Sequence, residues 1–124
     1  MLYEYKCDIV RVIDGDTIVV NIDLGFDTWL FDQHVRIRGI DTPEVRTRDL
    51  EEKEKGLEAK ARAEELLPPG SSQYLVSKKY EGEKGKYGRI VGDFVLLYSL
   101  GPDNTYKQYY SEIMLSEGRA QKEG

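Results

Sequence analysis

Charged groups that can do chemistry are concentrated in the segment 35–44. It contains the guanidinium of Arg36 and the carboxylates of Asp41 and Glu44, and such groups can hold a metal ion, grip a phosphate or accept a proton. Apolar residues and arginines alternate at the start of the segment, which is the period of a β-strand with two different faces. Pro43 lacks a backbone N–H donor and disfavours helical geometry at the residue before it, so the strand is expected to end near Asp41. The sequence therefore predicts that these groups meet at a strand end, and that the rest of the chain supplies the scaffold and the second half of a site.

The composition limits the class of protein to which the chain can belong. Its 124 residues suffice for one compact domain spanning 1–124, 33% of them are charged, and the formal net charge is -5. This charge argues against a strongly basic nucleic-acid coat protein, but not against a nuclease, in which Lys and Arg need only be local. His34 is the only histidine and Cys7 the only cysteine, so zinc sites and serine or cysteine triads have little to build on.

The same residues give an expectation for the cellular location. The segment 1–6 lacks the basic start and long apolar run of a signal peptide, and no apolar run approaches the ~20 residues of a membrane span. Cys7 has no partner for an internal disulfide, so a reducing compartment is the default. We therefore expect a cytoplasmic protein with no membrane contact, in which Cys7 is a small buried residue at the start of a strand.

The first part of the chain is predicted to form three strands. Asp14-Gly15-Asp16 separates two apolar, β-branched runs, 7–13 and 17–24, and Asp-Gly between such runs is a strong hairpin signal. The residues that recur at period two and are expected to face the core are Ile18, Val20, Ile22 and Leu24, opposed by Val19, Asn21 and Asp23. A turn at 25–27 then leads into a third strand over 28–41, and 45–49 is expected to be an exposed loop.

Two helices and two further strands are predicted after residue 45. Asp49 and Glu52 are a capping pair for a first helix, although Gly56 is expected to delay regular helix to Leu57. The apolar stripe of this helix consists of Ala59, Ala63, Leu66 and Leu67. Pro68 is expected to end the helix. Strands are expected at 73–79 and 90–98, the second being the last strand, with a charged loop at 81–88 between them.

The second helix is predicted from aromatic residues at helical spacing. A turn at 101–104 is followed by an apolar stripe at i, i+3, i+4, i+7 and i+8, namely Tyr106, Tyr109, Tyr110, Ile113 and Met114. Gly118 suits the C′ position of this helix. The elements together predict an α+β fold that is mainly β, an OB-fold five-stranded Greek-key barrel with two packed helices.

Three motifs in this order resemble the staphylococcal nuclease (thermonuclease) family. They are Ile13-Asp14-Gly15-Asp16-Thr17, then Val35-Arg36-Ile37 leading to Ile40-Asp41-Thr42-Pro43-Glu44, then Lys86-Tyr87-Gly88-Arg89. Gly56-Leu57-Glu58-Ala59 and the stretch from Met114 to Ala120 extend the resemblance, which covers about residues 7–120. It implies an OB barrel that carries a calcium-dependent nuclease site.

The resemblance also implies roles for individual residues. Asp16 and Asp41 match the calcium carboxylates of the family, and Thr42 matches its backbone carbonyl ligand. Oxygen ligands of this kind suit calcium or magnesium, and the resemblance implies calcium, with magnesium as the second choice. Arg36 and Arg89 match the pair of phosphate-binding arginines.

Three further residues match the family's nucleotide-binding and catalytic positions. Glu44 matches the carboxylate usually described as the general base, and the alternative is that it only holds the loop and the water. Lys86 and Tyr87 match residues that contact the terminal phosphate of the nucleotide. The longer family members continue past the second helix with tyrosines beside the nucleotide and a third helix, whereas no tyrosine follows Tyr110 here. We expect a monomer. The alternative is a dimer or a partner chain, because a short member without the family's third helix would leave core surface that such a contact covers.

Each motif also has a plainer explanation. The Asp14–Asp16 motif can be a simple hairpin turn, Arg36 an exposed strand residue, and the stretch 86–89 a solubilising loop. Tyr106 to Tyr110 can be read as a base-stacking platform, but their spacing favours core packing. The leading hypothesis is a calcium-dependent nuclease acting on DNA, with RNA as a second substrate. The alternatives are a non-catalytic nucleic-acid-binding OB module and an interaction subunit.

Overall fold

The strands of the chain form a barrel that is closed by a parallel pairing. The computed structural model describes residues 2–78, 89–102 and 104–123. The elements follow in the order β1 (Leu2–Asp14), β2 (Thr17–Asp23), β3 (Trp29–Ile37), β4 (Ile40–Asp41), α1 (Leu50–Leu66), β5 (Ser72–Lys78), β6 (Ile90–Gly101), β7 (Asn104–Tyr109), α2 (Tyr110–Ser116) and β8 (Gln121–Lys122). The main sheet has the strand order β3-β2-β1-β5-β6-β7, and β3 also pairs with β6.

The β3–β6 pairing joins the two ends of a five-stranded barrel made of β1, β2, β3, β5 and β6. Val35 lies opposite Ile90, and Ile37 opposite Gly92, in parallel register. The remaining barrel pairs are antiparallel, and β1 pairs both with its sequence neighbour β2 and with the more distant β5. The predicted α+β class and OB-type barrel with two helices are therefore confirmed.

The predicted β1–β2 hairpin is present, and Asp14 pairs with Thr17 across its turn. Ile18, Val20 and Ile22 are buried, as their spacing predicts, but Val19 on the opposite face is fully buried as well. Leu24 is 40% exposed, because β2 ends at Asp23 before reaching it. β1 begins at Leu2, so Cys7 lies in the middle of the strand rather than at its start. Strand β2 is therefore covered on both faces, which a period-two pattern alone does not reveal.

The third predicted strand is interrupted. A turn at Arg38 and Gly39 divides it into β3 and the two-residue β4. β4 leaves the main sheet and pairs with β8, with Asp41 opposite Gln121. Strand β8 thus holds β4, the strand that carries Asp41, by backbone pairing.

Helix α1 begins earlier than expected. Asp49 is its N-cap, and the Asp49 side chain accepts from the backbone N–H of Glu51 and Glu52. The Glu52 carboxylate accepts from the Thr47 hydroxyl at 3.0 Å, so it supports the loop before the helix. Gly56 does not delay the helix to Leu57, because N-terminal capping stabilises the first turn more than one glycine weakens it. Ala59 and Ala63 are buried on the inner face, and Leu67 is buried at the C-cap.

The prediction for the segment after residue 101 is wrong in its first half. Instead of a helix, Asn104–Tyr109 forms β7, an antiparallel partner of β6 in which Tyr106 lies opposite Tyr98. Tyr106 is 46% exposed, so it lies outside the core in which the helical stripe placed it. Tyrosine is enriched in strands and only moderately favourable in helices, and the pairing with β6 stabilises the strand.

Helix α2 itself is short and keeps the predicted inner face. Tyr110, Ile113 and Met114 are buried, and the Tyr110 ring packs edge-on against Phe94 with centroids 6.4 Å apart. Gly118 follows the C-cap with a positive φ of 73°, as its predicted C′ position requires. No helix within the described residues is long and apolar enough to span a membrane.

Candidate functional site

Arg36 is the centre of the predicted site. It lies near the end of β3, and its Nη1 donates to the carbonyl oxygens of Ile37 and Ile40 at 2.9 and 2.7 Å. Its Nη2 donates to the carboxylate of Asp41 and lies 3.4 Å from Oδ2 of Asp16. The two carbonyl bonds fix the plane of the guanidinium, which then holds one carboxylate from the β1–β2 turn and one from β4.

The Asp16 carboxylate joins the β1–β2 turn to the segment after β4. Its Oδ2 accepts from the backbone N–H of Thr42 at 3.0 Å, and its Oδ1 from the Thr17 hydroxyl at 3.1 Å. The backbone carbonyl of Asp16 accepts from the N–H of Ile37 at 2.9 Å. Asp16, Arg36, Asp41 and Thr42 are therefore brought together, although Asp16 is far from the others in sequence.

Access to solvent differs among these groups. The side chains of Arg36 and Asp16 are 16% and 13% exposed, whereas that of Asp41 is 57% exposed. A partly buried guanidinium and carboxylate interact more strongly than surface charges, because water screens them less. The exposed Asp41 carboxylate is the side of the cluster that a ligand from solvent reaches first.

Glu44 lies on the segment that follows these residues, and it is exposed. Helix α1 approaches the main chain of Glu44 closely at Gly56. A Cβ at position 56 would lie 2.5 Å from the Glu44 carbonyl oxygen, a distance that no side chain can occupy. The glycine inside α1 therefore allows the helix to pack directly on the loop that carries Glu44.

Arg89 directly precedes β6 and is half-buried. The parallel register places Arg36 opposite Val91, and Arg89 shares the face of Val91 because strand side chains alternate. Arg89 and Arg36 thus lie on the same face of the barrel. Lys86 and Tyr87, the predicted substrate contacts, lie outside the described residues.

The donors of this site fit a hard divalent cation. Asp16 and Asp41 bring two negative charges to one guanidinium, and Thr42 follows Asp41 directly in the chain. The Thr42 hydroxyl oxygen is buried and has no hydrogen-bond partner among the described residues. Within the described part of the chain, no three His, Cys, Asp or Glu side chains converge as a metal-binding group. A cation here would therefore have two carboxylates and one carbonyl from the protein, with water for its other positions.

A second carboxylate, Asp93, is buried behind the site and anchors α2. It accepts hydrogen bonds from the backbone N–H groups of Phe94 and Ser111, at 2.9 and 3.2 Å, and from the Ser111 hydroxyl. Burial raises the pKa of Asp93 above its ordinary value, while these hydrogen bonds and the charge of Arg38 oppose the shift. The Tyr109 side chain makes no capping bond at this helix, so Asp93 caps α2 from β6.

A groove of about 640 Å³ opens beside the site. Asp41 and Thr42 line one end, the start of α1 lines a side, and the segment 117–121 lines the other. Its lining includes the carboxylates of Asp49, Glu51 and Glu52. Lys55 and Arg119 also line the groove, so its lining carries both signs of charge, with carboxylates in the majority, and this balance favours cations.

Sequence reasoning missed the residues that position the site. The sequence predicts only a turn and a motif position for Asp14, but its Oδ1 accepts from the backbone N–H of Val45 at 3.0 Å. Gly15 is similarly constrained, because a Cβ there would meet Thr42 Cγ2 at 3.0 Å and Ala59 Cβ at 3.1 Å. The sequence does contain an indication of this role. Asp14 and Asp16 flank Gly15, and two carboxylates offer more hydrogen-bond acceptors than a two-residue turn needs.

The comparison with known families agrees with this geometry. A sequence model described as staphylococcal nuclease homologue matches residues 34–123. The matched range includes Arg36, Asp41 and Glu44, whereas Asp16 lies before it. A search of curated proteins returned no match to the chain. Because the match spans most of the chain, the protein belongs to the staphylococcal nuclease homologue family, and its domain indicates a nuclease-like or nucleic-acid-binding role.

Proposed function

We propose that this protein is a calcium-dependent nuclease that hydrolyses phosphodiester bonds of DNA, and of RNA as a second substrate, with little sequence specificity. The observation that carries the proposal is the contact of one Arg36 nitrogen with the carboxylates of both Asp16 and Asp41. This contact places a hydrogen-bond donor for a phosphate next to two carboxylates that can bind a hard cation. Family membership supports the hydrolase class.

Hydrolysis of a phosphodiester requires donors for the charge that develops on the phosphoryl oxygens. Arg36 and Arg89 take this role, since each guanidinium can offer two parallel N–H donors to a phosphate. The contacts of Arg36 with Ile37, Ile40 and the two carboxylates hold its guanidinium in place before substrate binds. Lys86 and Tyr87 complete the phosphate contacts according to their match with the family motif.

Glu44 accepts the proton of the attacking water. It is exposed, so water reaches its carboxylate directly, and its main chain is supported by α1 at Gly56. A general base has to lie within hydrogen-bond reach of the proton that it removes. The rigid support of the Glu44 main chain is suited to that requirement.

Asp16, Asp41 and the Thr42 carbonyl would hold the calcium ion. When bound, calcium supplies Lewis-acid stabilisation of the phosphoryl group. Calcium accepts a flexible set of oxygen ligands, whereas magnesium demands near-octahedral geometry. The mixed set of one partly buried carboxylate, one exposed carboxylate and one carbonyl favours calcium.

A second candidate function is a nucleic-acid-binding OB module without catalysis. The observation in its favour is that no group of three metal-binding side chains converges within the described residues. Such a module would bind single-stranded DNA in the presence and in the absence of calcium, and would not cut it.

The deciding experiment follows degradation of heat-denatured DNA and of RNA with calcium, with magnesium and with a chelator. Arg36→Ala and Glu44→Gln are compared with Lys6→Ala and Glu4→Ala, two exposed positions toward the far end of β1. We expect calcium-dependent cleavage by the wild type and both controls, and a loss of at least about a hundredfold in each site variant. DNA binding without cleavage by the wild type would select the module instead.

We also propose that the protein acts on nucleic acid as a monomer. The competing possibility is a dimer or a partner chain, and the exposed apolar residues at the β2–β3 hairpin are where such a contact would form. Phe26 and Phe31 are 103% and 64% exposed. Light scattering is expected to give the mass of one chain, and a dimer mass that falls to a monomer in Phe31→Ser would contradict the proposal.

A further inference from the structure

The β1–β2 turn holds the Glu44 segment at both ends. Oδ2 of Asp16 accepts from the N–H of Thr42, and Oδ1 of Asp14 accepts from the N–H of Val45, both at 3.0 Å. Within the segment 42–45, only Pro43 and Glu44 lie between the two bonded residues. One turn with two acids therefore fixes the main chain immediately before and immediately after the proposed general base.

The opposite side of the same segment is also closed. At position 56 of α1, a Cβ would lie 2.5 Å from the Glu44 carbonyl oxygen and 2.9 Å from the Val45 nitrogen. The N–H of Val45, which donates to Asp14, thus lies between the turn and the helix. If this bond were lost, α1 would block movement of the segment on one side, and the segment would be free to move only toward the turn.

We propose that Asp14 is a positioning residue for Glu44, acting through the main chain of Val45. The inference rests on the proposed nuclease function for its effect on rate. Glu44 is exposed and has a long side chain, so the position of its carboxylate depends on where its backbone is held. A displacement of about 1 Å in a reacting group can cost about a hundredfold in rate.

The hydrogen bond from Val45 to Asp14 allows a positioning role to be distinguished from a role that depends on the negative charge of Asp14. A backbone N–H needs only an oxygen acceptor, and the amide oxygen of asparagine can replace a carboxylate oxygen there. A role that depends on the negative charge of Asp14, such as attraction of a cation, would be lost in asparagine. Asp14→Asn and Asp14→Ala therefore distinguish a positioning residue from an electrostatic one.

The experiment measures three quantities in the wild type, Asp14→Asn and Asp14→Ala. They are hydrogen exchange at the Val45 amide by NMR, calcium affinity by calorimetry, and kcat and KM on single-stranded DNA. Asp23→Ala is the matched control, since Asp23 also accepts from a turn N–H, that of Gly25 at 2.8 Å, at the other end of β2. Circular dichroism checks that each variant is folded.

We expect Asp14→Ala to lower kcat by about tenfold to a hundredfold, with KM and calcium affinity close to wild type. The Val45 amide should exchange faster in this variant only. Asp14→Asn and Asp23→Ala should stay within about threefold of wild-type kcat. In a Glu44→Gln background, Asp14→Ala should cause no further loss, because residues that act as one unit are not additive.

Two results would overturn the inference. One is an equal loss in Asp14→Asn and Asp14→Ala with weaker calcium binding, which would assign Asp14 a role of charge. The other is unchanged exchange at Val45 in Asp14→Ala, which would show that the bond does not hold the segment. If the wild type does not cleave nucleic acid, the proposed function fails, and Val45 exchange still decides whether Asp14 fixes the segment.

Discussion

The hydroxyl of Tyr110 donates a 2.5 Å hydrogen bond to the carbonyl oxygen of Gly15. This bond joins the first residue of α2 to the middle of the turn that carries Asp14 and Asp16. Tyr110 is fully buried, and burial, followed by the charges of Asp16 and Asp93, raises the pKa of its hydroxyl well above the ordinary value. The raised pKa favours the protonated hydroxyl, which is the form that donates to the Gly15 carbonyl.

Tyr110→Phe is expected to destabilise the protein by about 1–3 kcal/mol, because the Gly15 carbonyl is left buried without its donor. Urea unfolding at pH 7 measures this change. Tyr74→Phe is the control, since Tyr74 is 41% exposed and its substitution should stay within about 0.5 kcal/mol. Equal effects of the two substitutions would contradict the assignment of the Tyr110 bond.

Gly56→Ala is expected to destabilise the protein by about 1–3 kcal/mol, although alanine is the better helix former by about 1 kcal/mol. The reason is the 2.5 Å approach of the added Cβ to the Glu44 carbonyl oxygen, which forces α1 and the Glu44 segment apart. Thermal unfolding gives the stability, and DNA cleavage should fall as well. Ala61→Gly, at an exposed position of α1, measures the propensity term alone. A stabilised Gly56→Ala variant would show that α1 does not pack on this segment.

Arg36→Met is expected to abolish cleavage to within measurement, a loss of at least about a hundredfold, without weakening calcium binding. In the proposed function the guanidinium donates hydrogen bonds to the phosphate, and its positive charge near Asp16 and Asp41 opposes a cation between them. Calorimetric titration with calcium should give an affinity equal to or higher than that of the wild type. Asp41→Asn is the contrasting variant, in which calcium affinity should fall. Weaker binding in Arg36→Met would mean that the arginine holds the carboxylates in place for the ion.

Asp93 should make the protein less stable as the pH rises. Its pKa is raised in the folded state, chiefly by burial, so the folded protein keeps a proton that the unfolded chain has lost. That contribution to stability is fully present below about 3.9, the pKa of an aspartate in the unfolded chain. It is lost as the pH rises through the higher pKa of Asp93 in the folded protein. The stability of Asp93→Asn relative to the wild type should therefore improve between pH 4 and pH 7 in urea unfolding. A relative stability that falls over this range would contradict the direction of the shift.

Cys7 should not react with thiol reagents in the folded protein. It is fully buried in β1, between its partners Ile22 and Gln73, and burial, with the charge of Asp8, raises the pKa of its thiol to about 12. Since the thiolate is the reactive form, labelling at pH 8 should proceed only through unfolding. The test compares the labelling rate without urea and above the unfolding midpoint. Rapid labelling of the native protein would show that the barrel opens at β1.

The sequence by itself determined the features that depend on neighbouring residues. The Asp-Gly turn predicted the β1–β2 hairpin, and the period of Ile18, Val20 and Ile22 predicted the core face of β2. The spacing of Ala59 and Ala63 predicted the inner face of α1. Arg36, Asp41 and Thr42 were also predictable as a group, because they lie within one short segment at a strand end.

Only the tertiary structure decided which distant residues complete the site and which element the ambiguous segments form. The tyrosines before Tyr110 satisfy a helical period, yet Tyr106 belongs to a strand, because the edge of β6 supplies hydrogen bonds that local sequence cannot specify. In the same way, Asp14 reaches Val45 and Gly56 meets Glu44 through contacts between parts of the chain far apart in sequence. Local patterns fix the period and the ends of an element, whereas its partners depend on how the closed barrel brings separate strands and helices together.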